Sequence, residues 1–158
     1  MPPPAYKHPA RWANQLTTML DHVKGSNRYP VDVEELILDY SRNVWPGDRV
    51  LAIHSEELHG FEGALVPVRE NGGWLIISNS AARDGRRRFT IAHEVGHYLL
   101  HRHLLPPEGI RCKADSVGRG AGHAIEKEAD EFAAALLMPS HDLRRQIDPR
   151  AKPSIDEL

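Results

Sequence analysis

The sequence predicts an α+β fold, a small and mostly antiparallel sheet packed with helices. Three observations predict it. The stretch His93-Glu94-Val95-Gly96-His97 lies between apolar flanks, Phe89-Thr90-Ile91-Ala92 and Tyr98-Leu99-Leu100, that read as helix. A second stretch, residues 125 to 138, is rich in Ala, Leu and Glu, and Pro139 marks its end. Between residues 49 and 78, three short runs of strand-forming residues are separated by turn residues.

In chain order, a Pro-rich start leads into a helix from Ala10 to Lys24, with Trp12, Leu16, Met19 and Leu20 on one side and Gly25-Ser26-Asn27 as its stop. A second helix is expected from Val31 to Ser41, with Asp32 as N-cap and Val33, Leu36, Ile37 and Tyr40 facing inward. Pro46-Gly47-Asp48 is a turn. The strand candidates are Arg49 to His54, Gly63 to Val68 and Trp74 to Ser78, the last two a hairpin closed at Asn71-Gly72-Gly73. The Gly60-Phe61-Glu62-Gly63 stretch is expected near the cleft. Arg83, Arg86, Arg87 and Arg88 cluster at the entry to the next helix and read as a solvated face. From Pro106 to Gly122 the connection is long for a compact domain, which suits a lid over a cleft.

Composition narrows the function. At 158 residues the chain suits one domain with a real core. A net charge of −2 supplies no global attraction for nucleic acid, so no direct nucleic-acid binding is expected. No apolar run approaches the roughly 18 residues of a membrane span. Met1-Pro2-Pro3-Pro4 lacks the apolar core of a signal peptide, and a single cysteine allows no internal disulfide. Both point to the cytoplasm.

The chemistry starts from H-E-x-x-H. Residues four apart share a helix face, so His93 and His97 can both aim an imidazole nitrogen at one metal ion. Glu94 sits about 100° round the helix, placed to touch a water at that ion rather than to ligate it. Two His ligands and a Glu base are the zinc-hydrolase arrangement. The apolar flanks bury this helix, and buried imidazoles need partners. Gly96, unfavourable by about 1 kcal/mol inside a helix, signals that something packs close to the backbone.

Catalytic zinc usually has three protein ligands and an open position. The second helix offers the third ligand. Glu126 and Asp130 are four apart on one face, whereas Glu128 points about 200° away from Glu126. Glu126 is preferred, with Glu128 as the alternative. His101 continues the stripe of His93 and His97 and is a candidate contact to substrate or an oxyanion; the plainer reading is a hydrogen-bonded histidine near a helix end. A thiolate can ligate zinc, but Cys112 reads as part of a Pro/Gly-bounded loop and is set aside.

Two segments carry a family resemblance. Arg87 to His101 resembles the RFTxAHExGHxLLH pattern of the ImmA/IrrE metallopeptidases, and Glu126 to Pro139 resembles their ExEAxxFAAxLLMP pattern. Weaker similarity reaches Pro30 to Leu36 and Leu75 to Asn79. The resemblance implies a zinc-dependent endopeptidase of Glu-zincin type, with His93, His97 and Glu126 as ligands and Glu94 as catalytic base. The spacing from Glu126 to Asp130 is similar to that of other Glu-zincins, where the Asp hydrogen-bonds the far nitrogen of a zinc histidine; Asp130 would do this for His93 or His97. Characterised members cleave helix-turn-helix repressors, so the implied partner is such a repressor, in the control of stress-response or mobile-element genes. The alternative on the same fold is a repressor-binding module that does not cut. On this reading residues 1–27 are an N-terminal tail and helix, 28–142 the metallopeptidase-like domain, and 143–158 a C-terminal tail. Longer members begin a further segment there, so the tail reads either as a natural short end or as a truncated one.

Overall fold

The computed structural model of the protein describes residues 7–24, 31–113 and 121–138. Helix α1 (Pro9–Lys24) forms because Trp12, Leu16 and Leu20 recur every fourth residue and bury one face. Its buried Thr17 hydroxyl donates back to the Ala13 carbonyl at 3.0 Å, so the helix interior carries no orphaned hydroxyl. Helix α2 (Val33–Val44) starts just after Asp32, whose side chain accepts from the Glu35 amide at 3.1 Å. That is the expected cap. It also moves the helix start two residues past the expected one, because a capping residue is not itself helical. Glu34 and Glu35 add negative charge at the positive end of the helix dipole.

The strands are β1 (Val50–Glu56), β2 (Gly63–Val68), β3 (Gly73–Asn79) and β4 (Ile110–Cys112), in the order β1-β3-β2-β4. The expected hairpin of β2 and β3 is present and antiparallel, with Leu65 opposite Ile76. β2 also pairs antiparallel with β4, Gly63 standing opposite Cys112. β1 pairs parallel with β3, so the sheet is mixed and two of its three ladders are antiparallel. Trp74, Ile76 and Ser78 alternate inward along β3, the period-two pattern of a half-buried strand. The turn into β4 depends on Gly109, at φ 81°. A Cβ there would lie 2.1 Å from the Leu65 carbonyl oxygen, so only glycine lets the chain pass β2 at this distance.

Helix α3 (Asp84–His101) runs behind the sheet and is buried from Thr90 through Leu99. It begins earlier than its apolar flank suggested, so Arg86, Arg87 and Arg88 lie within it. Each has an internal partner: Arg86 pairs with Glu62, Arg87 with Glu34 at 3.0 Å, and Arg88 donates to the Val31 carbonyl at 3.0 Å. The C-terminal end of α3 is pinned by the buried Arg102, whose guanidinium lies 4.3 and 4.5 Å from the rings of Trp45 and Tyr98 and whose Nε donates to Asp48 at 2.7 Å.

Helix α4 (Ala121–Leu137) packs along α3, and α1 packs on α4 in turn; Trp12, Leu16, Val95, Leu99, Phe132 and Leu136 share one core. α3 and α4 approach most closely at Gly96. A Cβ there would meet Phe132 Cδ1 at 3.1 Å and the Ala129 Cα at 3.2 Å. Two small residues facing one another thus set the helix separation that the site below requires. The contact is with the backbone of Ala129, which is itself fully buried and has nowhere to retreat. Gly96→Val is therefore expected to lower stability by about 1–3 kcal/mol through overpacking, read from denaturant unfolding. Unchanged stability would mean that the two helices do not depend on this contact.

No helix among the described residues is long and apolar enough to cross a membrane. The expectations for the tail at 143–158, and for residues 114–120 of the proposed lid, lie outside the described residues.

Candidate metal centre

α3 and α4 place three side chains against one point. His93 Nε2 lies 3.0 Å from Glu126 Oε2, His97 Nε2 lies 3.0 Å from Glu126 Oε1, and the two Nε2 atoms are 3.0 Å apart. All three residues are buried. The structure thus brings Glu126, not the alternative Glu128, between the two histidines. Glu128 leans toward the far side, its Oε1 3.8 Å from His101 Nε2. The 200° offset along α4 is the physical reason.

The opposite ring nitrogens fix the tautomers. A carboxylate only accepts, so His93 Nδ1–H donates to Asp130 Oδ1 at 2.8 Å. His97 Nδ1 stands 3.0 Å from His101 Nδ1. Burial holds His101 down at about 4, so its Nδ1 can accept the His97 proton. His101 therefore sits behind His97 as an orienting partner. This is the arrangement that the plainer reading of His101, a hydrogen-bonded histidine near a helix end, describes: it is buried one turn away from the metal-facing nitrogens, on the Nδ1 side of His97. Asp130 and His101 do the same work for different rings.

With both Nδ1 atoms carrying protons, both Nε2 atoms present bare lone pairs to each other and to a carboxylate. Such a cluster needs positive charge at its centre. Without a metal, a proton supplies it. Burial alone would lower the His93 pKa, but the hydrogen bond to Glu126 and the charges of Glu94, Glu126 and Asp130 outweigh burial and raise it to about 9. Burial likewise opposes ionisation of Glu126, yet its bonds to His93 and His97 hold it well below the ordinary carboxylate range. A divalent cation serves the same need better. Zinc with ligands at 2.0–2.1 Å wants them roughly 3.3 Å apart in tetrahedral geometry, close to the 3.0 Å edges observed. The residues fit zinc.

Glu94 is fully buried, and neither of its carboxylate oxygens has a hydrogen-bond partner. Burial raises its pKa, against the lowering charges of His97 and His93. An orphaned buried carboxylate is costly, and it marks where a reacting group is to be met. Gly63 makes room for it: a Cβ on Gly63 would lie 2.8 Å from Glu94 Oε1. Glu94 opens on a cleft of about 340 Å³ lined also by Phe89, Thr90, His93, Cys112 and Asp130.

Two residues of this site were not legible in the sequence. Gly63 looked like a strand start, and Cys112 like a loop residue. Cys112 in fact ends β4, is buried, and lies with Sγ 3.6 Å from Glu126 Oε1. The charges of Glu94 and Glu126 add to burial in pushing its thiol pKa up. A signal existed in the pairing of Gly63 with Cys112, but three residues of strand are too few for alternation to show.

Residues 50–154 match the peptidase M78 family, described as the IrrE N-terminal-like domain. Over 75 residues, 47% of the chain, it is 36% identical to the radiation response metalloprotease IrrE of Deinococcus radiodurans, covering 22% of that protein. Over 109 residues, 60% of the chain, it is 31% identical to the radiation response metalloprotease IrrE of Deinococcus deserti, covering 37% of it. The chain thus spans well under half the length of either relative. With the family match extending over most of its length, and with H-E-x-x-H inside the match, the chain belongs to the peptidase M78 family of IrrE N-terminal-like domains.

Proposed function

We propose that the chain is a zinc-dependent endopeptidase domain that cleaves a helix-turn-helix repressor in the cytoplasm. The observation that carries this is the convergence of His93, His97 and Glu126 on one point beside the unpartnered carboxylate of Glu94. His93 Nε2, His97 Nε2 and a Glu126 oxygen would hold the ion. Bound zinc supplies Lewis acidity, polarising the scissile carbonyl and making water a better acid.

The chain's own residues do the rest. Glu94 takes a proton from the attacking water and delivers it to the leaving amine. Its lack of fixed partners leaves both oxygens free for this, and Gly63 keeps the space in front of them open. Asp130 and His101 hold the two imidazoles in the tautomer that presents Nε2. β4 is an edge of the sheet and borders the cleft, so an extended substrate segment can pair with its outer side. The basic residues of α3 are engaged internally, which agrees with a protein rather than a nucleic-acid partner.

Two measurements follow. Incubated with zinc and a helix-turn-helix repressor from the same genome, the chain is expected to cut that repressor into discrete fragments, and a chelator is expected to stop the cutting. A stable complex with the repressor left intact would overturn cleavage in favour of the non-cutting binding module. Asp130→Ala removes the partner of His93 Nδ1 and is expected to weaken zinc binding about 10–100-fold, as measured against a chromophoric chelator. Unchanged affinity would show that the hydrogen bond does not orient a ligand.

A further inference from the structure

A catalytic zinc site keeps a position open, whereas a site with four protein ligands is closed. Four buried residues here, His93, His97, Cys112 and Glu126, offer ligand atoms that all lie within 4.8 Å of one another. One of these is the cysteine. We propose that Cys112 Sγ is a further ligand of the same ion, and that the resting centre is therefore a closed His-His-Glu-Cys site. This rests on the metal reading above.

The plain alternative is a buried cysteine acting as a small apolar side chain. Its surroundings argue otherwise. Cys112 is only 5% exposed, yet its thiol is turned to the Glu126 carboxylate, to which it donates at 3.6 Å. Glu94, 0% exposed and without a partner at either oxygen, lines the same cleft. The thiol can donate only one hydrogen, whereas two carboxylates and two bare imidazole nitrogens crowd the same corner, and a shared cation satisfies all of these acceptors together.

The backbone holds the sulfur there. Cys112 pairs with Gly63 across β2 and β4, and its carbonyl accepts from the Glu62 amide at 2.8 Å. Gly109 sets the approach of β4 to β2, as described above. The strand that carries the thiol is thus entered through a position only glycine can occupy.

Coordination needs no oxidant. The S–H bond breaks, a sulfur–metal bond forms, and the proton is released to solvent. The consequence is latency: the thiolate holds the position that water needs, and hydrolysis requires Cys112 to leave it. β4 is three residues long. A small displacement of that edge, such as a substrate strand pairing beside it would bring, withdraws the sulfur.

Cobalt(II) substitution of the full chain tests this with a readout other than activity. The wild-type cobalt protein is expected to show a strong near-ultraviolet sulfur-to-cobalt band. Cys112→Ser is expected to keep the visible bands of bound cobalt and lose that near-ultraviolet band. Acetohydroxamate, a small bidentate metal ligand, is expected to shift the visible spectrum of Cys112→Ser at concentrations that leave the wild type unchanged. X-ray absorption of the wild-type zinc protein needs no variant, and should show a sulfur neighbour at about 2.3 Å. Bound metal with no sulfur signature, or a near-ultraviolet band that survives Cys112→Ser, would overturn the inference and leave the three-ligand site standing. Equal acetohydroxamate responses would overturn the closed resting state. Failure of both chains to take up any metal would overturn the site itself, and this inference with it.

Discussion

Glu94→Gln is expected to lower peptide hydrolysis about 10²–10⁴-fold while leaving zinc bound. The amide matches the carboxylate in shape, so α3 and its packing are undisturbed. What is lost is the ability to accept a proton. Glu94 is not among the atoms that converge between the two Nε2 nitrogens, and both its oxygens face the cleft without partners. The variant should therefore bind metal and repressor and fail to cut. The measurement is a cleavage time course run beside a zinc determination on the same preparations. Retained cleavage would remove Glu94 from the chemistry, and loss of zinc would make it part of the ligand set.

Glu126→Gln is expected to weaken zinc binding by more than the roughly 10–100-fold that loss of an outer hydrogen-bond partner costs. An amide contributes no charge and binds zinc poorly, and Glu126 alone bridges both histidines, at 3.0 Å to each. Glu128→Gln should change affinity little, because its carboxylate reaches toward His101 and not toward the metal-facing nitrogens. Competition titration of both variants decides between them. A large loss in Glu128→Gln with Glu126→Gln unaffected would reverse the assignment.

The parts of this fold that were legible in the sequence are those whose signal is local. The stripes of α1, α2 and α4 have helical period, Asp32 caps α2 as its type suggests, and the Gly-rich turn closes the β2–β3 hairpin. The preference for Glu126 over Glu128 rested on the helix angle that separates them and on the i, i+4 spacing of Glu126 and Asp130. Partner choice between distant segments was not legible. Nothing in β1 says that it will lie parallel to β3, and β4 is too short to show a period. For the same reason Asp130 could be assigned to a histidine but not to His93 in particular. His101 shared the stripe of the two proposed ligands, yet the Nδ1 side of His97 that it meets is set by the ring's rotamer, which spacing does not encode. Cys112 joins the cluster only through a glycine-dependent turn and a three-residue ladder.

α3 and α4 together are expected to hold one zinc ion through His93, His97 and Glu126. The most direct measurement is the zinc content of the chain purified without chelator, followed by titration of the stripped chain. About one equivalent per chain is expected, released by chelator and restored on titration. Less than about a tenth of an equivalent, with no uptake at any added zinc concentration, would contradict it.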